Sequence, residues 1–316
     1  MPADFVYVDQ AAMTQTATAM INSAQKSIYI EQYDFDRKDL MNLLVNKAKQ
    51  GVQIKVLLDQ FVKSNADTYD YLRANGVDVQ YYPTEKGQAA RVKLLSVDGT
   101  HALIGGNDWS ETAQNYHDVA IQLSDWSAWK TASIFVNDWM TATTLDLNLA
   151  NTTLPNDNIT LATNANIKTM LTTQLQQTKK SVQVELTQLS DSDIVNLLAS
   201  MASSGKSVQV ILDDSQQTAN QAAIQKLLAS GAAVRLYPTD NNRRLTARFG
   251  LFDDKTTLIG SANWSYISFV QNHELDLLIP SNQVTQKLSN VFAQDWKKSQ
   301  AIRPAQSHSS ASVKKP

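Results

Sequence analysis

The side chains that can exchange protons near neutral pH are few. The 316-residue chain has four histidines, His101, His117, His273 and His308, and no cysteine. Lacking thiols, it can form no disulfide, no thiolate nucleophile and no sulfur-ligated zinc site. The absence leaves the redox compartment open. His308 lies in a polar C-terminal stretch, and His101 follows the Asp98-Gly99 turn. His117 and His273 each stand directly before an acid, Asp118 and Glu274. Neighbours on a strand point to opposite faces, so if the acids face a site the histidines face away, as strand residues packed under a helix. The other chemical resource is basic: Arg91-Val92-Lys93 and Thr246-Ala247-Arg248. A guanidinium stays protonated at physiological pH and only donates hydrogen bonds. A threonine hydroxyl attacks only with a base beside it.

The elements that must position these residues come twice. Lys26-Ser27-Ile28-Tyr29-Ile30-Glu31 recurs as Lys180-Ser181-Val182-Gln183-Val184-Glu185, and Val56-Leu57-Leu58-Asp59 as Val210-Ile211-Leu212-Asp213. Tyr82-Pro83-Thr84 recurs as Tyr237-Pro238-Thr239, Ile104-Gly105 as Ile259-Gly260, and Asp138-Trp139 as Asp295-Trp296. A register held over that length is a duplication. Each copy alternates helices with apolar runs. Helical spacing covers 11–25 and 38–50 in the first copy, 166–179 and 191–204 in the second. Strands are expected at Ile28–Tyr33, Ile54–Leu58 and Val77–Tyr82, and at Val182–Leu186, Val208–Leu212 and Ala233–Tyr237. Two further strands follow in each copy, turning at Asp98-Gly99 and Asp253-Asp254. The class is α/β. The first repeat is assigned to 1–145, a linker to 146–158, the second repeat to 159–303 and a disordered tail to 304–316. Trp139 and Trp296 are read as core aromatics.

The two motif stretches resemble the phospholipase D superfamily, which carries HxKxxxxDxxxxxxGSxN in each half and an acid on the next strand. The second half supplies Arg248, Asp253, Gly260, Ser261 and Asn263, followed by Glu274. The first supplies Lys93, Asp98, Gly105 and Gly106, with Asp108 in the place of the asparagine, followed by Asp118. The resemblance spans nearly the whole chain and implies two α/β repeats related by pseudo-two-fold symmetry, mixed sheets flanked by helices, and both motifs meeting at one cleft. It also implies a phosphate cradle of Arg91, Lys93, Arg248, Ser261 and Asn263, with Asp108, Asp118 and Glu274 as supporting acids. Where the superfamily has its two histidines, this chain has Arg91 and Thr246. In the superfamily one imidazole attacks phosphorus and the other protonates the leaving alcohol, so no metal or cofactor is implied, and no catalytic residue is expected here.

The expected function is that of a degenerate phospholipase D-like protein that binds a phosphodiester or a phospholipid head group. The alternatives are a working phosphodiesterase or phosphatidyltransferase with an altered nucleophile such as Thr246, and a scaffold without a ligand. The three acids could instead pair internally with Arg91, Lys93 and Arg248 and close the pocket. Asp98 and Asp253 are read as turn and salt-bridge residues. Lys plus Arg (28) nearly cancel Asp plus Glu (30), which argues against broad nucleic-acid binding and makes any anion site local. No run is long and apolar enough to span a membrane. The chain reads as soluble: cytoplasmic if complete, extracytoplasmic if an N-terminal segment has been removed. Oligomeric state is left open.

Overall fold

A computed structural model describes residues 5–8, 10–106, 108–239 and 243–302. The tail expected to be disordered lies outside these residues. The first repeat contains β1 (Val6–Tyr7), α1 (Gln10–Ser23), β2 (Ser27–Gln32), α2 (Lys38–Lys49), β3 (Gln53–Asp59), α3 (Ser64–Ala74) and β4 (Asp78–Tyr82). It continues through β5 (Leu94–Val97), β6 (His101–Gly105), β7 (Ala120–Ser124) and α4 (Asp125–Thr143). The second contains β8 (Thr160–Thr163), α5 (Ala165–Gln177), β9 (Ser181–Leu186), α6 (Ser192–Ser203), β10 (Ser207–Asp213), α7 (Gln217–Ala229) and β11 (Ala233–Tyr237). After these come β12 (Phe249–Phe252), β13 (Thr256–Gly260), α8 (Tyr266–Val270), β14 (Leu275–Ile279), α9 (Asn282–Lys298) and β15 (Gln300–Ala301).

The first sheet runs β1-β7-β6-β5-β2-β3-β4 and the second β8-β14-β13-β12-β9-β10-β11-β15, the same order apart from the last strand. In each, the central strand pairs in parallel with the apolar strands after it, β2 with β3 and β9 with β10. On its other side it pairs antiparallel with the motif hairpin, β5 and β12. Parallel pairing needs a helical crossover, whereas the hairpin closes through a tight turn.

Period-two alternation sorts each strand between two layers. Ile28 and Ile30 of β2 join α1 and α2 in an outer core, and Tyr29 turns inward to stack on Phe135 of α4. The inner core draws from both repeats, with Leu57, Ile104 and Trp139 beside Ile211, Ile259 and Phe292. It welds the two sheets through α4 and α9. Trp139 is buried there and Trp296 packs at its edge, as expected of core aromatics.

Asp98 and Asp253 take left-handed φ values of 55° and 53°, which aspartate tolerates better than most residues. Their carboxylates accept from the main-chain N–H groups of Gln25, Lys26 and Ser27, and of Lys179, Lys180 and Ser181, respectively. They are turn residues as expected, but they satisfy backbone donors at the start of β2 and β9 and, among the described residues, form no salt bridges. Partial burial opposes their ionisation, yet the three N–H donors outweigh it and hold both carboxyls below their ordinary value.

Candidate functional site

The two motif segments meet at the pseudo-dyad because each is pinned to the other repeat. The main-chain N–H of Arg91 donates to the His273 carbonyl at 2.8 Å, and the Thr246 N–H donates to the His117 carbonyl at 2.9 Å. Within its own repeat, Asp59 accepts from the Ala90 N–H at 2.7 Å, and Asp213 accepts from the Leu245 N–H at 2.7 Å. Both aspartates end the buried strands after which they were matched in the sequence. Each motif is therefore clamped from both sides just before its first chemical residue.

Arg91, Lys93, Thr246 and Arg248 converge on one open cleft of 290 Å³, which is also lined by Tyr33, Asp34, Asp108, Tyr116, Asp213 and Arg244. The Arg91 guanidinium lies over the Tyr33 ring at 4.4 Å, and that of Arg244 over Tyr116 at 5.8 Å. Arg248 Nε donates to Asn263 Oδ1 at 3.2 Å. Lys93 Nζ stands 3.2 Å from Asp118 Oδ2 and 3.8 Å from Asp108 Oδ1. Internal pairing thus holds for the lysine. Among the described residues no carboxylate lies within ion-pairing reach of Arg91 or Arg248, and the pocket is not sealed. Burial pushes the Asp34 carboxyl up, with Asp108 and Asp36 adding to it and Ser64 opposing.

Ser261 and Asn263 do not line the cleft. Ser261 Oγ donates to Glu274 Oε2 at 2.6 Å and accepts from the Leu275 N–H at 3.0 Å. Asn263 Oδ1 accepts from Arg248 and from the Gln188 N–H. Their place is behind the cations, holding Glu274 and Arg248. Burial pushes Glu274 up, against the pull of Ser261 and of the Arg91 and Arg248 charges. Asp276, on the same face of β14, is raised by burial to about 7. Gly260 is required here: a Cβ on it would meet Asp276 Oδ1 and the Leu275 carbonyl at 2.2 Å.

Neither His117 nor His273 enters the cleft, and neither is the strand-surface residue under a helix that alternation led one to expect. Each reaches into the opposite repeat. His117 Nε2 lies 2.9 Å from Asp295 Oδ2 and 3.3 Å from Glu185 Oε1. His273 Nε2 lies 3.1 Å from Asp138 Oδ2 and 3.5 Å from Glu31 Oε2. Their rings stack on Tyr237 and Tyr82. Burial pulls both imidazoles toward neutrality, but the paired carboxylates outweigh it and raise each to about 10. Burial, with Asp138 adding to it, raises Glu31 to about 8. A histidine held as imidazolium has no lone pair with which to attack or accept a proton.

Sequence reasoning missed Arg244, although it stands two residues before Thr246. It also gave Glu31, Glu185, Asp138 and Asp295 no role. Their signal was the repeat itself, since each acid recurs at its equivalent place. That their partners come from the other copy is not readable from linear spacing.

A duplicated mixed α/β scaffold with twin motif hairpins around a cationic dyad cleft is that of the phospholipase D superfamily. Within it, the chain belongs to the family described as "Cardiolipin synthase, PLD-like domain", whose profile matches residues 17–139 and 171–296. It is 23% identical to a cardiolipin synthase of Clostridium perfringens strain SM101, across 92% of this chain and 70% of that protein. It is 22% identical to the major cardiolipin synthase ClsA of Bacillus subtilis, across 92% of this chain and 68% of that protein. Among solved structures, phosphatidylserine synthase of Haemophilus influenzae Rd KW20 superposes with a TM-score of 0.72 at 14% identity, covering 96% of this chain and 88% of that one. Polyphosphate kinase of Porphyromonas gingivalis superposes at 0.69 and 12% identity, covering 94% of this chain and 48% of that one. These two likenesses speak to the fold alone. Among the described residues no helix is long and apolar enough to cross a membrane.

Proposed function

We propose that this protein binds a phosphodiester, of the kind found in a phospholipid head group, in the dyad cleft and does not cleave it by phosphohistidine chemistry. The observation that carries this reading is the lining of the cleft: Arg91, Lys93, Arg244 and Arg248 face it, and among the described residues no imidazole does. Guanidinium groups match phosphate oxygens with bidentate, charge-assisted donors. They cannot serve as nucleophile or as proton shuttle at neutral pH. The relatives named for cardiolipin synthesis favour a phospholipid head group as the source of the phosphate.

A threonine nucleophile is the second reading, since Thr246 lines the cleft. Its Oγ1, however, donates to the His117 main-chain carbonyl at 3.3 Å, which is no base. The test is a calorimetric titration with glycerophosphoglycerol alongside a turnover assay on a chromogenic phosphodiester. Saturable binding lost in Arg248→Ala, without turnover, is expected. Turnover abolished by Lys93→Ala or Arg248→Ala would overturn the reading, and so would the absence of any binding.

A further inference from the structure

The two histidine clusters lie outside the cleft, and ion pairing leaves much of their polar surface unspent. Each brings one imidazole nitrogen and two carboxylates together across the repeat boundary, with one ligand atom per residue all within 4.8 Å of one another. Glu185 is wholly buried, yet neither of its carboxylate oxygens receives a hydrogen bond. Glu31 Oε1, Asp138 Oδ2, Asp295 Oδ2 and Nε2 of both histidines are likewise buried atoms without a hydrogen-bond partner. A buried carboxylate without a donor is costly. Here that cost appears twice, at symmetry-equivalent places.

We infer that each cluster is a binding site for one divalent first-row metal ion of the zinc or manganese type: His117, Glu185 and Asp295 form one site, and His273, Glu31 and Asp138 the other. With metal–ligand bonds of about 2.1 Å, ligands in tetrahedral or octahedral sites stand about 2.9–3.4 Å apart. The nitrogen–oxygen separations are 2.9 and 3.3 Å in one cluster and 3.1 and 3.5 Å in the other. Imidazole with two carboxylates is a hard-to-borderline set that suits such ions. Two ionised carboxylates and a neutral imidazole carry two negative charges, which one divalent ion neutralises on entry; at the His117 cluster the exposed Lys298, with Nζ 3.1 Å from Asp295 Oδ1, already offsets part of that charge. At His273 the far side of the ring is already set. Asn164 Oδ1 accepts from the Glu274 N–H at 2.9 Å, so it faces the imidazole as an acceptor, and Nδ1, 3.2 Å away, must donate to it. A ligand histidine is commonly fixed in this way, with its other nitrogen turned to the metal.

A metal ion at each cluster would staple the two repeats. Because the His273 and His117 carbonyls hold the Arg91 and Thr246 backbones, it would also stiffen the floor of the cleft.

The test uses the whole chain, stripped with a chelator and then equilibrated with Zn²⁺, against a His308→Ala control for the tail. Two tightly retained zinc ions per chain and a raised melting temperature are expected. Glu31→Gln and Glu185→Gln, near-isosteric changes, should each reduce the stoichiometry to one. Co²⁺ loaded into the wild-type chain should give visible bands distinct from those of the aqueous ion, a readout that needs no variant to fold. If Zn²⁺ is not retained and Co²⁺ keeps its aqueous spectrum, the clusters hold protons only and the inference fails. If zinc binds but neither variant changes the stoichiometry, it also fails. If only one variant does, it fails for the other cluster.

Discussion

Asp108 replaces an amide of the superfamily motif with a negative charge at the edge of the cleft, and Asp108→Asn should tighten phosphate binding. Its Oδ1 lies 3.8 Å from Lys93 Nζ and receives no hydrogen bond. A phosphate oxygen bonded to that ammonium at about 2.8 Å puts the anion about 6 Å from the carboxylate. At an effective dielectric constant of about 20, two unit charges at about 6 Å repel by roughly 3 kcal/mol. The Asp108 side chain is 17% exposed, and solvent and salt reduce this to about 1–1.5 kcal/mol. That is about tenfold in Kd. Titration of wild type and variant with glycerophosphoglycerol at one fixed ionic strength measures it, and the gain should shrink as salt rises. An unchanged or weaker affinity in Asp108→Asn would mean that the anion is not seated on Lys93, and the placement of the ligand would be wrong.

Further expectations follow from the same geometry. Lys93→Ala should weaken binding about tenfold or more, since a charge-assisted hydrogen bond is lost; calorimetry reads it. Gly260→Ala should cost about 3 kcal/mol or more in urea unfolding, because its Cβ collides with backbone atoms that cannot yield. Asp98 and Asp253 have lowered folded-state pKa values, so their contribution is present above the unfolded carboxyl pKa and is lost as pH falls through the folded one. Asp98→Asn with Asp253→Asn should therefore be less stable at pH 7 and show a shallower acid limb in thermal unfolding below about pH 4. Arg91→His with Thr246→His, which returns imidazoles to both motif starts, should raise phosphodiester turnover above that of wild type; a double variant that folds and stays at background would show that more than histidine is missing.

Much of the scaffold could be read from residues because duplication and patterning act locally. β9 was expected at Val182–Leu186 and forms over Ser181–Leu186, and Asp98 and Asp253 mark their turns. The convergence of Arg91, Lys93, Thr246 and Arg248 also followed, but only through the family resemblance, since no periodicity brings residues so far apart in the chain together. Where the reading stopped was at contacts between the copies. Alternation sent His117 and His273 away from the cleft, where they do lie, but they precede β7 and β14 rather than belong to them, and what they meet is Glu185 with Asp295, or Glu31 with Asp138, from the opposite repeat. Ser261 was taken for a phosphate donor because of its motif place, whereas the buried Glu274 claims its hydroxyl. Such choices are settled by burial and by which acceptor lies nearest in space, and sequence spacing encodes neither.

The proposed cleft holds phosphate without bonding to it covalently. The most direct measurement is the intact mass of the chain, quenched with acid at intervals during incubation with a saturating phosphodiester substrate. An unchanged mass throughout is predicted. A phosphoryl or phosphatidyl adduct that appears and turns over, on Thr246 or on a histidine, would contradict it.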